Sequence, residues 1–378
     1  MTNKNSLQED SEILTHFGED YTQHLGAVVP PIFMNSLHVI PKENIYDPKP
    51  LPFFYGRESN PTSDLLERKI AALERAEKAL SFASGMAAIS SCILANVKQG
   101  DHIVAVDFSY SPTRELIKDD LSKLGIQHTF VSGKTASDFA GNIKLNTKLF
   151  YLESPTSGIF EIQDLRKVAA LAKQNNIVTI IDNSWATPIY QKPITFGIDI
   201  SIHTASKYIG GHSDVIAGVA AGSAEMMAKV KHIRRNYGGI LGPMEAWLCI
   251  RGLRTLMVRI KTHGSAALEI AARLSRHPAV RQVYYPGLPG FPQHELAKSQ
   301  MSGFTGLLSF SLHGEDDKVK SVVSRLKWFN LGPSWGGFES MVNLCEGEGG
   351  NDVIRLHIGF EDVETLWADL KESLDKVL

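Results

Sequence analysis

A series of short apolar runs constrains the fold of this chain more than any other feature. His102–Val106, Leu149–Leu152, Ile177–Ile181, Ile198–Ile202 and Val215–Ala221 are nearly continuous in hydrophobicity, with no polar alternation. A strand that reads this way is covered on both faces. Helical stretches at Pro112–Leu124 and Leu165–Asn175 lie between the runs. Strands alternating with helices predict an α/β domain built on a mostly parallel sheet. Ligands of such sheets gather beyond the carboxyl ends of the strands. Asp107 to Tyr110, Glu153 to Ser157, Asp182-Asn183 and Ser206-Lys207 all fall just after an apolar run. The pattern therefore places them along one crevice.

The bounds are those of an ordinary enzyme. At 378 residues the chain exceeds the usual size of a single core, so more than one domain is expected. Residues 1–60 read as an arm, 61–240 as the large α/β domain, and 241–378 as a smaller α+β domain. Pro30-Pro31, Pro41, Pro48, Pro50 and Pro52 break any long helix in the arm, which is expected to lie on another surface. Basic and acidic residues number 39 and 41, a balance that points away from nucleic acid and anionic membranes. No apolar run reaches the roughly 18 residues of a membrane span. Met1–Asp10 is polar and lacks a signal core. Cys92, Cys249 and Cys345 are too far apart in sequence to suggest a disulfide framework, which fits a reducing, cytoplasmic setting.

Several residues carry candidate chemistry. The run ending at Thr204 leads to Ser206 and Lys207, and Gly210-Gly211 follow. A lysine amine condenses with carbonyls, although a surface lysine after a strand is the ordinary alternative. Thr62 is expected to cap a helix carrying Leu66, Ile70, Leu73 and Leu80 on an apolar stripe. Ser81-Phe-Ala-Ser-Gly-Met86 reads as a small-residue turn before an apolar helix to Val97. Ser84, Gly85 and Met86 would then sit at a helix N-terminus, either as a plain cap or as an anion site. Asp182 closes an apolar run and needs a partner there. A pyridinium N–H would supply one, and a cap on the following segment is the alternative. The ring of Tyr110 could stack on a flat cofactor or simply pack. Arg57, within Tyr55-Gly-Arg-Glu-Ser-Asn-Pro-Thr62, suits a phosphate through its planar fork, or is a solvated loop residue. A lysine, an acid for a ring nitrogen and donors for a phosphate together suit pyridoxal phosphate (PLP) joined to Lys207.

In the C-terminal part, Gly252–His263 belongs to a long amphipathic helix. Strands are predicted at Val283–Tyr285 and Gly306–Leu312, and helices at Asp317–Leu326 and Val363–Leu378. Leu331–Ser340 and Ile354–Gly359 stand out as loops. Arg355 lies in an apolar run, where a cation calls for a partner. An amino-acid α-carboxylate fits, as does a structural ion pair. His203, His212, His263 and His357 lack ligand-type spacing, so no metal is expected.

Taken together, the chain resembles the Cys/Met-metabolism family of PLP enzymes, whose fold is aspartate-aminotransferase-like (fold type I). The likeness runs from Gly26-Ala-Val-Val-Pro-Pro31 to Arg355-Leu-His-Ile-Gly-Phe-Glu-Asp362. Within the family it is most similar to bacterial cystathionine β-lyases. The runs that carry this are Ile181-Asp-Asn-Ser-Trp-Ala186, Ser206-Lys-Tyr208 with Gly211-His-Ser-Asp214, Arg251-Gly-Leu-Arg-Thr-Leu256 and Ser334-Trp-Gly-Gly-Phe-Glu-Ser340.

The resemblance implies that Lys207 holds PLP and moves protons, that Asp182 pairs with the ring nitrogen, and that Tyr110 stacks on the ring and takes part in catalysis. It implies backbone N–H donors to the phosphate from Gly85 and Met86, and hydroxyls from Thr204 and Ser206. Tyr55 and Arg57 would reach the phosphate of a neighbouring subunit, making a dimer the catalytic unit and a homotetramer the assembly. Arg355 would clamp the substrate carboxylate, with Ser334 and Trp335 beside it. The implied activity is β-elimination of cystathionine, or of a related cysteine thioether, to a thiol, pyruvate and ammonia. A γ-acting relative is the alternative. Pro333 departs from the family pattern, which has tyrosine there in bacterial β-lyases and often glutamate in γ-acting members. Ser157 stands where many γ-acting members have asparagine, and tilts towards β-elimination.

Overall fold

The computed structural model of the protein describes residues 4–42, 52–314, 316–347 and 352–378. Pro48 and Pro50 lie outside the described residues. Strands β1 (Lys78–Phe82), β2 (His102–Val106), β3 (Gln127–Val131), β4 (Thr147–Glu153), β5 (Val178–Asp182), β6 (Ile200–Thr204) and β7 (Gly218–Gly222) form one sheet. Their order is β1-β7-β6-β5-β4-β2-β3. The β2–β3, β2–β4, β4–β5 and β5–β6 pairs are parallel, whereas β7 runs antiparallel to β6 and β1. All five residues of β2 and of β7 are buried, as continuous hydrophobicity requires of strands covered on both faces. Helices Gly85–Leu94 and Ala224–Tyr237 pack on one face through Ile89, Ile93 and Val230. Leu165–Gln174 packs on the other through Leu165, Val168 and Ala172.

A second sheet follows, with the order β10-β11-β12-β9-β8. Its strands are β8 (Val280–Tyr284), β9 (Leu307–Leu312), β10 (Asn330–Leu331), β11 (Met341–Glu346) and β12 (Asp352–His357). Helices Asp316–Arg325 and Val363–Asp375 share its core through Val319, Val322, Leu366 and Leu370. One 32-residue helix, Pro243–Leu274, joins the two halves. Cys249, Ile250, Leu253 and Leu256 of its first part belong to the core beside β7, and Ala267, Ile270 and Leu274 of its last part to the core of the second sheet. A rod of this length (about 1.5 Å per residue) fixes the two sheets against each other. Among the described residues, no helix is long and apolar enough to cross a membrane.

The sequence expectations are corrected in several places. The helix expected to be capped by Thr62 is Pro61–Glu74, and its cap is Asn60, whose side chain accepts from the Thr62 N–H. Proline at the first helical position lacks the N–H that would otherwise go unpaired. The Thr62 hydroxyl instead accepts from Phe33 N at 3.0 Å. Ser81 and Phe82 are not part of a turn but the end of β1, paired to Val219 and Gly218. Strands β3 and β11 were not anticipated: β3 is only partly buried, with Gln127 exposed, and β11 is half-buried along most of its length, so neither is an apolar run. Ile354–Gly359 is mostly strand, since Ile354–His357 lies within β12. The arm begins with a helix, Lys4–Thr15, that docks on this same chain. Ile13 and Leu14 enter a core with Leu65, Leu66 and Ile70. Buried Asp10 pairs with Arg75 and Lys192, and buried Glu19 with Lys69 and Arg254. Further along, Leu25, Val28, Met34, Leu37, Val39 and Phe54 are exposed.

Glycine matters where β7 meets the helix Gly85–Leu94. A Cβ on Gly218 would lie 2.2 Å from the Ser84 carbonyl oxygen and 2.9 Å from Gly85 N, closer than atoms approach. Gly218→Ala is therefore expected to lower stability by about 1–3 kcal/mol through forced backbone shifts. Gly290, whose Cβ would meet nothing within 4 Å, should tolerate alanine within about 0.5 kcal/mol. Urea midpoints for the two variants check this; equal midpoints would contradict it.

Candidate active site

The carboxyl ends of β2, β4, β5 and β6 open on a cavity of about 500 Å³. Tyr110, Glu153, Asp182 and Lys207 all line it, and so do Gly85, Met86, Thr204, Ser206, Ser334, Trp335 and Arg355. Eight of these eleven belong to the large sheet and its connections, while Ser334, Trp335 and Arg355 come from the second sheet and the loop before β11. The cavity is thus a seam that neither half could form alone.

Lys207 lies three residues beyond β6, on a turn closed by the Lys207 N–H to the Thr204 carbonyl. Its Nζ donates to Ser334 Oγ at 2.9 Å and lies 5.5 Å from the centre of the Trp335 ring. Burial, and then the nearby Arg355 guanidinium, push this amine down to about 8. A neutral, nucleophilic fraction is therefore present near pH 7. The turn depends on close backbone approach. Gly336, at φ +89°, would place a Cβ 2.8 Å from Tyr208 N, and Gly211, at φ +71°, would drive one into the Arg259 guanidinium.

Asp182 ends β5, and Ser184 donates to its Oδ1 twice, from N at 2.9 Å and from Oγ at 2.5 Å. Asp182 does not cap the following helix, Thr187–Tyr190, whose N-cap Ala186 makes no side-chain bond; its Oδ1 closes a local turn with Ser184 instead. Among the described residues, Oδ2 has no hydrogen-bond partner from the chain. Burial raises the Asp182 pKa, opposed by the two Ser184 bonds and by His203. Behind the strand, His203 Nε2 meets buried Glu74 at 2.5 Å. Ser184 and Glu153 were assigned no role from the sequence. A serine two residues after a strand-ending aspartate is the local signal that could have found the first.

The helix Gly85–Leu94 starts at the cavity. The Ser84 side chain caps it by accepting from Ala87 N at 3.0 Å, so the plain-cap reading holds for the serine hydroxyl. Among the described residues, the N–H groups of Gly85 and Met86 have no acceptor within the chain. A Cβ on Gly85 would lie 2.8 Å from the Thr204 side chain, so glycine allows that hydroxyl to sit beside the helix end. The Ser206 hydroxyl is already engaged, donating to Ala217 O at 3.2 Å and accepting from Ala217 N at 3.0 Å. Unpaired N–H groups, a helix dipole and a neighbouring hydroxyl form a cradle that fits a phosphate. A free carboxylate oxygen and a low-pKa amine in the same cavity fit the rest of PLP.

Arg355 projects from β12, where it pairs in register with Asn343 and Ser309. Its Nη2 donates to the Pro333 carbonyl at 2.9 Å. Among the described residues no carboxylate pairs with it, so the structural ion pair is not found and the guanidinium retains donors for an anion. Tyr55 and Arg57 do not line the cavity of their own chain. Arg57 donates to the Arg235 carbonyl at 3.0 Å and lies over the Tyr55 ring. Of the four histidines, His263 and His357 are buried and pushed down to about 4 and about 3, chiefly by burial. They flank Tyr208 within the fold.

Comparison with known proteins places this architecture. Residues 11–375 match the family model of the Cys/Met metabolism PLP-dependent enzymes. The chain is 38% identical over 376 residues to a cystathionine beta-lyase of Lactococcus lactis subsp. cremoris (strain MG1363), covering 96% of this chain and 97% of that protein. It is 36% identical over 380 residues to a cystathionine gamma-lyase of Bacillus subtilis (strain 168), covering 97% and 99%. The crystal structure of metB from Corynebacterium glutamicum superposes with a TM-score of 0.92 at 33% identity, covering 98% of each chain. The expected fold type and cofactor are thereby established. With its sheet order, its cavity and these matches taken together, the chain belongs to the Cys/Met metabolism family of PLP-dependent enzymes.

Proposed function

We propose that the protein is a carbon–sulfur lyase that carries out β-elimination on L-cystathionine or a related cysteine thioether. The observation that carries this reading is the base set of the cavity. Among the described residues Lys207 is the one amine that lines it, and its pKa of about 8 suits proton transfer near neutral pH. Each lining carboxylate is held by the chain through at least one oxygen: Asp182 by Ser184, Glu153 by Tyr110 N and Ser157, and Glu339 by Ser213. One base suits a reaction that removes a single proton from Cα. The γ-acting reactions require a second abstraction at Cβ.

PLP, when bound, supplies an electron sink for the pair left on Cα. In this reading Lys207 would hold the cofactor and, as a free amine, would remove the Cα proton of the substrate. Arg355 binds the substrate α-carboxylate, with Ser334 and Trp335 fixing the lysine beside it. The free Oδ2 of Asp182 accepts the ring N–H and, as an adjacent anion, keeps that nitrogen protonated. Gly85, Met86 and Thr204 hold the phosphate, and Ser206 joins them by turning from Ala217. Tyr110 stacks on the ring. When Cβ–S breaks, Lys207 or Tyr110 returns a proton to the thiolate, and water completes the conversion to thiol, pyruvate and ammonia.

Tyr55 and Arg57 lie away from their own cavity, and the arm around them exposes apolar side chains. We assign them to the cavity of a second copy, so that the active unit is a dimer and the assembly a tetramer of two such dimers. The pairing follows the two-fold logic of homo-oligomers.

Three measurements test this reading. Lys207→Ala should lose at least about a thousandfold in turnover, and borohydride reduction followed by peptide mapping should label Lys207 in the wild type; a label elsewhere overturns the assignment. With cystathionine as substrate, pyruvate should dominate, and 2-oxobutyrate as the main product would instead mark γ-elimination. Lys207→Ala and Arg57→Ala chains, each inactive alone, should recover about a quarter of wild-type activity when co-expressed, because half the dimers are mixed and each mixed dimer has one intact site. No recovery would refute the shared site.

A further inference from the structure

Glu153 closes β4 at the edge of the cavity and is buried. Its Oε2 accepts from the Tyr110 main-chain N–H at 2.8 Å, and its Oε1 accepts from the Ser157 hydroxyl at 2.6 Å. It also stands in register beside Asp182 on the adjacent parallel strand. One side chain thus ties the loop after β2 and the loop after β4 to the middle of the sheet. We propose that Glu153 is a positioning residue that fixes the Tyr110 main chain, and through it the Tyr110 ring, against the bound cofactor. This rests on the reading of Tyr110 as the ring-stacking side chain.

The geometry leaves Tyr110 in need of such a tie. Its side chain is 47% exposed, and among the described residues no aromatic ring packs on it. Asp107 N donates to Val131 O, and Ser109 Oγ to Val106 O, so the start of the loop is anchored elsewhere. The Tyr110 carbonyl is turned away, accepting from Thr113 N and Arg114 N of the short helix that follows. That leaves the Glu153 carboxyl as the link between Tyr110 itself and the sheet. A ring with little packing takes its place from its backbone, so the tie governs where the ring sits.

The chemistry of the site favours an uncharged Glu153. Burial, and then the neighbouring Asp182 charge, push its carboxyl up to about 8. A neutral acid still offers a carbonyl oxygen to Tyr110 N–H, while its own hydroxyl donates to Ser157 Oγ, which then accepts where it donates to the anion. It also leaves Asp182 as the anion that faces the ring nitrogen, avoiding two like charges side by side. Glutamine reproduces this arrangement, with Oε1 accepting from Tyr110 N and Nε2 donating to Ser157. Alanine removes it, leaving a buried N–H unpaired.

The test is PLP binding to the apoenzyme, read by fluorescence titration, together with visible circular dichroism of the loaded protein, which reports how the ring is held. Glu153→Ala should weaken PLP binding by about tenfold and reduce the visible dichroic band, whereas Glu153→Gln should stay within about twofold of wild type. Tyr110→Ala should show the same losses as Glu153→Ala, and the double variant should lose little more than either single one. If Glu153→Ala does not fold, Glu153→Met, which fills the volume but accepts no hydrogen bond, takes its place. An unchanged dichroic band in Glu153→Ala, a Glu153→Gln as impaired as Glu153→Ala, or fully additive losses with Tyr110→Ala would each overturn the proposal. A Tyr110→Ala protein with wild-type affinity and dichroism would instead sink the stacking role of Tyr110, and the proposal with it.

Discussion

Parallel strands deliver all their carboxyl ends to one edge, and the active site exists because β2, β4, β5 and β6 do so together. Each strand carries its polar residue at or just past that end: Glu153 closes β4, Asp182 closes β5, and Lys207 follows β6 by three residues. Hydrogen bonds within the strands are already satisfied by neighbours, so the side chains at the rim are the first polar groups free to meet a ligand. The antiparallel β7 has a different part to play. By reversing direction, it presents Gly218 rather than a loop to the Ser84–Gly85 turn, and the absent side chain lets the helix end approach the sheet.

Charge in the cavity is arranged by the same placement. Lys207 and Arg355 come from opposite halves of the molecule, and their mutual repulsion adds to burial in lowering the lysine. That makes the amine a better nucleophile while leaving the guanidinium to hold an anion. On the other side, two carboxylates share adjacent strand ends. The Ser184 bonds to Asp182 favour its anion, whereas the bonds to Glu153 do not prevent its carboxyl from rising to about 8. Burial thus opposes charge on both neighbouring carboxyls, and at Asp182 the two Ser184 bonds and His203 work against that rise.

Much of this was legible in the sequence, because fully buried parallel strands leave an unbroken apolar record. β2 was placed at its observed ends, and the residues after β4, β5 and β6 were placed at the crevice on that basis alone. The losses came where the same logic fails. β3 is only partly buried and reads as polar sequence, and β1 hides among small residues because Ser81 hydrogen-bonds Glu67 rather than packing apolar surface. The helix cap fell to Asn60 rather than Thr62 because a proline intervened. Ser84 and Ser206 are typical of what composition cannot settle. Both were expected near a phosphate, but which way a hydroxyl turns depends on the nearest backbone group, here Ala87 N and Ala217.

The arm changes character along its length. Its first part is committed to its own chain by burying two ion-pair centres, Asp10 and Glu19, which leaving the surface would strip of their partners. Beyond Glu19 the balance changes: among the described residues, Leu25, Val28 and Val39 are largely exposed. Apolar side chains concentrated in one stretch favour burial against a partner. Tyr55 and Arg57 follow this stretch and are tied to their own chain by the Leu37–Tyr55 bridge and the bond from Arg57 to the Arg235 carbonyl. A site divided between copies of the chain would then couple cofactor binding to assembly.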